Sequence, residues 1–481
     1  MITIEKLFEN VSYISSADIS KIKIKGIATD SRQVKDGDLF VCISGKDDDG
    51  HKHALEAQML GAVAILAEHA TESGLPTAIV TNSRQSYSKI CQNFFEKPHL
   101  KLKIVSIVGT NGKTTTSYIA EHLLKSAGYK TGVIGTIGYK ILDETYEDDL
   151  TTPDSFILNR LFRKMVRAGV EIVVMEVSAH AIAQDRLYGI TSDISIFTNV
   201  SPEHLDYFCD FSQYYDTKLS FFKNGMTKSA IVNVDDNLGR ELYKTLDMPI
   251  ISYGIDEPSD VFAMEIKQKP RGTSFIVNVF DEIYELFMPL YGKYNVLNAL
   301  SAITLLKTLK VPLPIIAESL QKLPPIPGRF NVFSYKNAKI IVDFAHTPDG
   351  LDNLLRTART LTRGKMITVF GCGGNRDKGK RKKMGEIAAR LSDAVIVTED
   401  NSRTEPLTNI ISDIMEGVKG NGKVFIVEER REAVEFAASL LSDGDLLVVA
   451  GKGAEKYIER NGRRVRYSDV DEAIALSRGE R

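Results

Sequence analysis

The stretch from Lys103 to Gly128 constrains the fold more than any other. An apolar run, "KIVSIV", passes through "GTNGKT" directly into the helical pattern "TTSYIAEHLLKSAG". A strand that feeds a helix through a glycine-bearing turn is the opening of a parallel α/β unit. Backbone N–H groups of the turn and of the helix N-terminus converge there, so the turn reads as a phosphate cradle. Lys113 would reach the outer phosphates and the Thr114 hydroxyl would ligate Mg2+. The loop departs from the common form, in which four residues separate a first glycine from the Gly-Lys pair. Ile107 stands at that place, and the loop closes two residues early. The alternative is a plain glycine turn with an incidental lysine; the order strand, Gly-Lys-Thr-Thr, helix speaks against it.

The rhythm that begins at this loop continues. Beta-branched runs alternate with helical patterns through "KTGVIGT", "EIVVMEVS", "ISIFTNV" and "SAIVNV". After the proline-rich "KLPPIPGRF" it restarts with "KIIVDFAH", "MITVFGC", "DAVIVTED", "KVFIVEE" and "DLLVVAG". Such runs are strands of a parallel sheet covered by helices. A chain of 481 residues is too long for one core. The expected organisation is three α/β domains. Residues 1–100 form a small N-terminal domain with short strands ("GDLFVCIS", "VAILAE") that ends in a linker, "FFEKPHLKLK". Residues 101–331 form a central parallel-sheet domain carrying the phosphate loop, and residues 332–481 a Rossmann-like C-terminal domain. Polar residues fall at the carboxyl ends of strands: Glu176, Asn199, Asp343, Gly371, Asp400 and Gly451. Open parallel sheets bind ligands at that edge, so two facing edges predict a cleft between the second and third domains.

Charge and cysteine content narrow the function classes. A formal net charge of -2, with 43% hydrophobic and 26% charged residues, describes an ordinary globular protein without the basic balance of a nucleic-acid binder. Cys42, Cys91, Cys209 and Cys372 have no metal-type spacing and suit reduced thiols in a cytoplasm. The opening "MITIEKLFEN" carries no basic-then-apolar signal, and no apolar run reaches membrane-spanning length. The expectation is a cytoplasmic enzyme or binding protein.

Mg2+ prefers hard oxygen ligands, and Glu176 at the end of "VVMEVS" offers one, although a lone acid there is ordinarily a cap. His204 and Asp206 follow the strand "ISIFTNV". Lys218 lies in a helix among Tyr214, Tyr215, Phe221 and Phe222. By itself it reads as a surface lysine whose stem passes aromatic neighbours.

Nine runs in order, "GTNGKTT", "EVSAHA", "FTNVSPEHLDY", "YYDTKLSFF", "GRFNVF", "DFAHTPDGL", "GCGGNRDKGKR", "TEDNSRTEP" and "AGKGAEKY", resemble the Mur ligases of peptidoglycan synthesis. The resemblance covers nearly the whole chain and is strongest to the branch that adds the third residue to UDP-N-acetylmuramoyl-L-alanyl-D-glutamate. It also accounts for the short loop, which is this family's ATP site. It implies an ATP-dependent amide ligase: the D-glutamate carboxylate takes the γ-phosphate, and an amine then displaces phosphate from the acyl phosphate.

Carried over by motif, Gly109, Thr110, Asn111, Gly112, Lys113, Thr114 and Thr115 bind ATP, with Asn295, Arg329 and Asp343 near the nucleotide. Thr114 and Glu176 would ligate one Mg2+ and His204 would serve the second metal, while Lys218 matches the family's carbamylated lysine, whose two oxygens suit Mg2+. Ser31 and the loop Lys46, Asp47 and Asp48 would hold the nucleotide sugar. Thr151, Thr152, Ser178, Gln184 and Arg186 would hold the sugar-peptide end. Arg376, Asp400, Asn401, Ser402, Arg403, Gly451 and Glu455 would surround the incoming diamino acid. Arg403 can grip a distal carboxylate in two parallel hydrogen bonds, which points to meso-diaminopimelate. The chain departs from the family at Ala179 and Ala454, and at Ser402, where a proline is usual; the last bears on which amino acid is added. The resemblance implies a monomer, without nucleic-acid or membrane partners. Alternatives are the same ligase with L-lysine, a folylpolyglutamate synthase-like ligase, and a P-loop ATPase that is not a ligase.

Overall fold

The computed structural model describes residues 1–46, 48–418 and 423–480. The chain divides into two compact units. One comprises Met1–Ser106, Tyr129–Ser195 and Ser220–Ser229; the other comprises Ile107–Gly128, Ile196–Leu219 and the chain from Ala230 onward.

In the first unit the strands Gly26–Ala28, Asp38–Val41, Ala62–Ala67 and Thr77–Ile79 form a parallel sheet in that order. Leu39, Val41, Ala64 and Leu66 face one core with Tyr87, Ile90 and Cys91 of the helix Ser83–Phe94. The alternating residues Phe40, Cys42, Ile65 and Ala67 face a second core with Ala54 and Ala57. Both faces are covered, so the strands read as continuous apolar runs. The stretch expected to be a linker contains a packed turn: Pro98–Lys101 forms a 3-10 helix with Pro98 and His99 buried. Proline fits this first helical turn, where no N–H is needed. The same unit holds the parallel pair Thr131–Gly135 and Ile172–Val177. The hairpin Gly138–Ile141 and Glu144–Tyr146 lies against Thr131–Gly135. Asp154 caps the helix Ser155–Arg167 by accepting the N–H groups of Phe156 and Ile157. That helix buries Leu158, Leu161, Phe162 and Met165, one apolar stripe at helical spacing.

In the second unit the phosphate-loop helix Lys113–Ser126 packs on the helix Lys293–Thr308, which is buried on nearly every side. The strands Ala230–Asn233 and Ile250–Gly254 pair in parallel. An antiparallel meander follows, Val261–Lys269, Gly272–Val279 and Glu282–Met288. A six-stranded sheet has the order Asn331–Tyr335, Ala338–Asp343, Leu446–Ala450, Met366–Phe370, Ala394–Val397, Lys423–Ile426. Only its first strand is antiparallel. Leu446, Val448 and Ala450 pack under helices Pro348–Arg359, Gly379–Leu391 and Leu407–Met415, while Leu447 and Val449 pack under Arg430–Ser439 and Asp469–Arg478. The α/β class with helix-covered parallel sheets is as expected. The last strand in sequence lies inside the sheet, which sets Gly451 between the strand ends at Asp343 and Gly371.

Candidate active site

In the second unit the phosphate loop is braced from a neighbouring strand end. Asn199 accepts the Thr110 N–H through its backbone carbonyl at 2.8 Å and the Asn111 N–H through its side chain at 2.9 Å. Thr198 donates to the Asn111 carbonyl at 2.7 Å. Each of these bonds fixes a peptide of a loop with no residues to spare. Lys113 folds back and donates to the carbonyls of Gly109 and Thr110 at 2.9 and 2.8 Å. Thr114 and Thr115 are buried at the helix start. Asn298 accepts from Thr116 at 3.4 Å and donates to Asn295 at 3.1 Å, so Asn295 reaches this loop through a second asparagine.

Lys218 is 1% exposed, not on the surface. Its amine donates to the Gly109 carbonyl at 2.9 Å and stands 4.6 Å from the centre of the Tyr214 ring. Burial, reinforced by nearby Lys113, pushes its pKa well below the usual lysine value. Tyr214 in turn lies 2.9 Å from the Thr110 hydroxyl. His204, held at a φ of +58°, places its ring 3.6 Å from Glu203. Glu203 also meets His346 at 2.9 Å. Burial alone would raise the Glu203 carboxyl, but the His346 hydrogen bond and the two imidazoles outweigh it and hold it well below the usual range.

The third of the chain that follows "KLPPIPGRF" reaches the same loop. Arg329 donates to the Thr114 hydroxyl at 3.1 Å and stacks 4.3 Å above Phe344. Asp343 accepts the N–H groups of Phe330 and Ala345, both at 2.8 Å, and so shapes the turns on either side; burial raises its pKa. Thr347 donates to Asn111 at 3.4 Å, and Arg376 pairs with Asp206 at 3.6 Å.

At the edge of the six-stranded sheet, Asp400, Asn401 and Ser402 are buried. Arg403 has a φ of +54° and donates to the carbonyls of Gly374 at 2.7 Å and Asn401 at 3.3 Å. Glu455 accepts from Asn401 at 2.9 Å. Gly451 follows Ala450, whose carbonyl accepts from the buried Arg430. The expected acceptor residues therefore converge, together with two cations that sequence reasoning missed, Arg430 and Lys452. The signal for Lys452 was present, since it directly follows a strand end in "AGKGAEKY".

In the first unit Glu176 is buried and its two oxygens accept from Thr136, at 3.1 Å from the N–H and 2.9 Å from the hydroxyl. Thr151 meets the same hydroxyl at 3.1 Å. Thr152 donates to the Glu176 carbonyl at 2.9 Å and accepts the Ser178 N–H at 3.0 Å. Arg186 donates to the Thr152 carbonyl at 2.5 Å and to Gln184 at 2.8 Å. One network thus joins the residues expected at the sugar-peptide end, and Thr136 was missed. Ser31 donates to Glu56 at 2.6 Å, Asp48 lies 2.8 Å from His53, and Lys46 is exposed. Asp47 lies outside the described residues. The group Asp49, His51 and His69 has metal-ligand chemistry. His51, however, spends both ring nitrogens, on Asp49 at 2.6 Å and on the Glu68 N–H at 3.0 Å, and reads as a hydrogen-bonded clip.

A short phosphate loop capped by Arg329, with a buried lysine behind it and a second strand-end edge nearby, defines a phosphate-loop α/β protein of the ligase type. Family models agree in the same order along the chain: the Mur ligase family catalytic domain matches residues 23–102, the Mur ligase middle domain residues 107–306, and the Mur ligase glutamate ligase domain residues 328–453. The chain belongs to the Mur ligase family. It is 40% identical over 447 residues to the UDP-N-acetylmuramoyl-L-alanyl-D-glutamate--2,6-diaminopimelate ligase of Clostridium botulinum, covering 91% of this chain and 92% of that one. The enzyme of the same name from Aquifex aeolicus is 38% identical over 461 residues, covering 96% and 95%. A solved structure of a ligase with that name superposes with a TM-score of 0.70 at 28% identity, covering 100% of this chain and 99% of that one.

Proposed function

We propose that the protein is an ATP-dependent amide ligase that adds meso-diaminopimelate to UDP-N-acetylmuramoyl-L-alanyl-D-glutamate in peptidoglycan synthesis. The observation that carries this reading is that the phosphate loop and the acceptor residues lie in one unit, joined by the bond from Arg329 to Thr114. A carboxylate is a poor acyl donor, so the D-glutamate side chain takes the γ-phosphate of ATP, releasing ADP. The amine of the diamino acid then attacks the acyl carbon, loses its proton, and expels phosphate. Lys113 neutralises charge on the transferred group, a contribution of several kcal/mol in such sites (about 3–4). The network around Thr152 and Arg186 would hold the peptide end, and Arg403 would meet the distal carboxylate of the acceptor.

The donor set fits Mg2+ on one condition. Mg2+ takes hard oxygen ligands, which an amine is not. Burial lowers the Lys218 pKa and so favours the uncharged amine, the form that is nucleophilic toward CO2, and its carbamate would present two oxygens. Thr114 and carbamylated Lys218 would then offer Mg2+ oxygen ligands, and the His204 imidazole would serve a second ion as a nitrogen donor; the metal charge assists phosphoryl transfer. Among the described residues no helix is long and apolar enough to cross a membrane. The four cysteines are free, which fits the reducing cytoplasm as its compartment.

The test is ADP release with UDP-N-acetylmuramoyl-dipeptide and a panel of diamino acids. ADP should appear only when both cosubstrates are present, and fastest with meso-diaminopimelate. Release that ignores either cosubstrate would point to a plain ATPase. L-lysine used at least as well in direct competition would overturn the acceptor assignment.

A further inference from the structure

Lys452 is 0% exposed, and its ammonium meets three oxygens: Glu455 at 2.8 Å, Asn401 at 3.1 Å and Asp400 at 3.4 Å. All three belong to the proposed acceptor pocket, and an ammonium has only three N–H bonds to give. None is left for a ligand. The same contacts orient Asn401. Its oxygen accepts from Lys452 and from the Glu459 N–H at 2.9 Å, while its amide nitrogen donates to Glu455 at 2.9 Å. A flipped amide would face donors with donors. Behind this layer Arg430, also 0% exposed, donates to the carbonyls of Glu399 at 3.0 Å and Ala450 at 2.8 Å while its fork grips Asp469. The two strand ends that carry Asp400 and Lys452 are therefore pinned to each other.

A buried cation is tolerated only when it is paired, and the same holds for the acids around it. Asp400 and Glu455 bring two negative charges to the pocket, and Lys452 offsets one of them within the buried layer; Arg403 and Arg376 add positive charge on the side where the acceptor would lie. Removing Lys452 makes the pocket one charge more negative, which shifts it toward an acceptor that ends in a bare ammonium and away from one that also carries a carboxylate.

We propose that Lys452 is a specificity-determining positioning residue, which orders Asp400, Asn401 and Glu455 and sets the pocket charge that favours a zwitterionic distal end over a bare ammonium. This rests on the ligase reading above. The test uses the full-length enzyme with Lys452→Met and, in parallel, Lys452→Gln, which keeps two donors and removes the charge. Melting curves establish folding, and ADP release gives KM for ATP, for the nucleotide dipeptide, for meso-diaminopimelate and for L-lysine. Losing hydrogen bonds to a charged group should raise KM for diaminopimelate by roughly tenfold or more and leave the other two substrate constants within about twofold. The preference in kcat/KM for diaminopimelate over lysine should fall by a similar factor. A folded variant with unchanged KM for diaminopimelate overturns the proposal. So does an equal loss for both acceptors, which a merely structural lysine would give, and so does failure of both variants to fold. A wild-type enzyme that releases ADP with neither acceptor refutes the ligase reading instead.

Discussion

Lys218 shows how burial turns one residue type into another. In water its amine would be a cation, yet buried beside Tyr214 the charged form loses its hydration, and the Gly109 carbonyl, the Tyr214 ring face and the nearby Glu203 charge do not make up for it. If its carbamate holds the metal, Lys218→Ala should lose most ligase activity while still binding ATP, because the loop Gly109 to Thr115 is untouched. Formate or acetate should then restore part of the turnover by supplying the missing carboxylate. Full activity in the alanine variant would sink this role. The sequence placed Lys218 in an aromatic helix and, by local pattern alone, on the surface, which the fold overturns. The residues that bury it include its own helix turns and a loop more than a hundred positions away.

At the level of the element, the phosphate loop is short because its neighbours do the bracing that extra residues would otherwise do. Gly112 has a φ of +87°, and a Cβ there would come within 2.4 Å of the Asn298 oxygen. Gly128, past the other end of the same helix, has a φ of +91° but no atom within 4 Å of an added Cβ. Both positions should therefore lose about 1–2 kcal/mol of stability on substitution by alanine, from backbone strain alone. Only Gly112→Ala should also weaken nucleotide binding, by roughly tenfold, since it displaces the side chain that steadies the loop. Calorimetric titration of ADP into both variants checks this, and equal affinities would argue against the bracing role of Asn298. The strand, the loop and the helix start were legible because each depends on local pattern. Asn298 was not, since nothing in its own helix marks it as the partner of Gly112.

Across the whole molecule, paired carboxylates set the acid limit of stability. Hydrogen bonds from buried Arg381 hold the Glu405 carboxyl at about 2, against an ordinary value of 4.5, despite some burial. In the other unit the His51 hydrogen bond holds Asp49 at about 2, against 3.8. Both values are depressed in the folded state, so their stabilisation is present above the unfolded values and is lost as pH falls from about 4.5 toward 2. Urea unfolding should therefore show a lower midpoint at about pH 3 than at about pH 5. Glu405→Gln should reduce that difference for the second unit; a slope identical to the wild type would show that the Arg381 pair contributes nothing to acid sensitivity.

The sequence by itself determined the α/β class, the order of strand, phosphate loop and helix, and the polar residues at strand ends, because all of these follow from spacing within a few residues. Family motifs added expected roles for residues such as Ser31, Arg186 and Arg403, which their own neighbours in sequence do not mark. The tertiary structure alone decided that Lys218 and Lys452 are buried, that Glu203 pairs with His346, and that Arg430 ties two strand ends together. It also decided the meander at 261–288, whose first and last strands face solvent at several positions and so lack the apolar runs that mark the others. The physical reason is common to all of these: the partners lie far apart along the chain, and the free energy of a buried charge is set by what surrounds it in space.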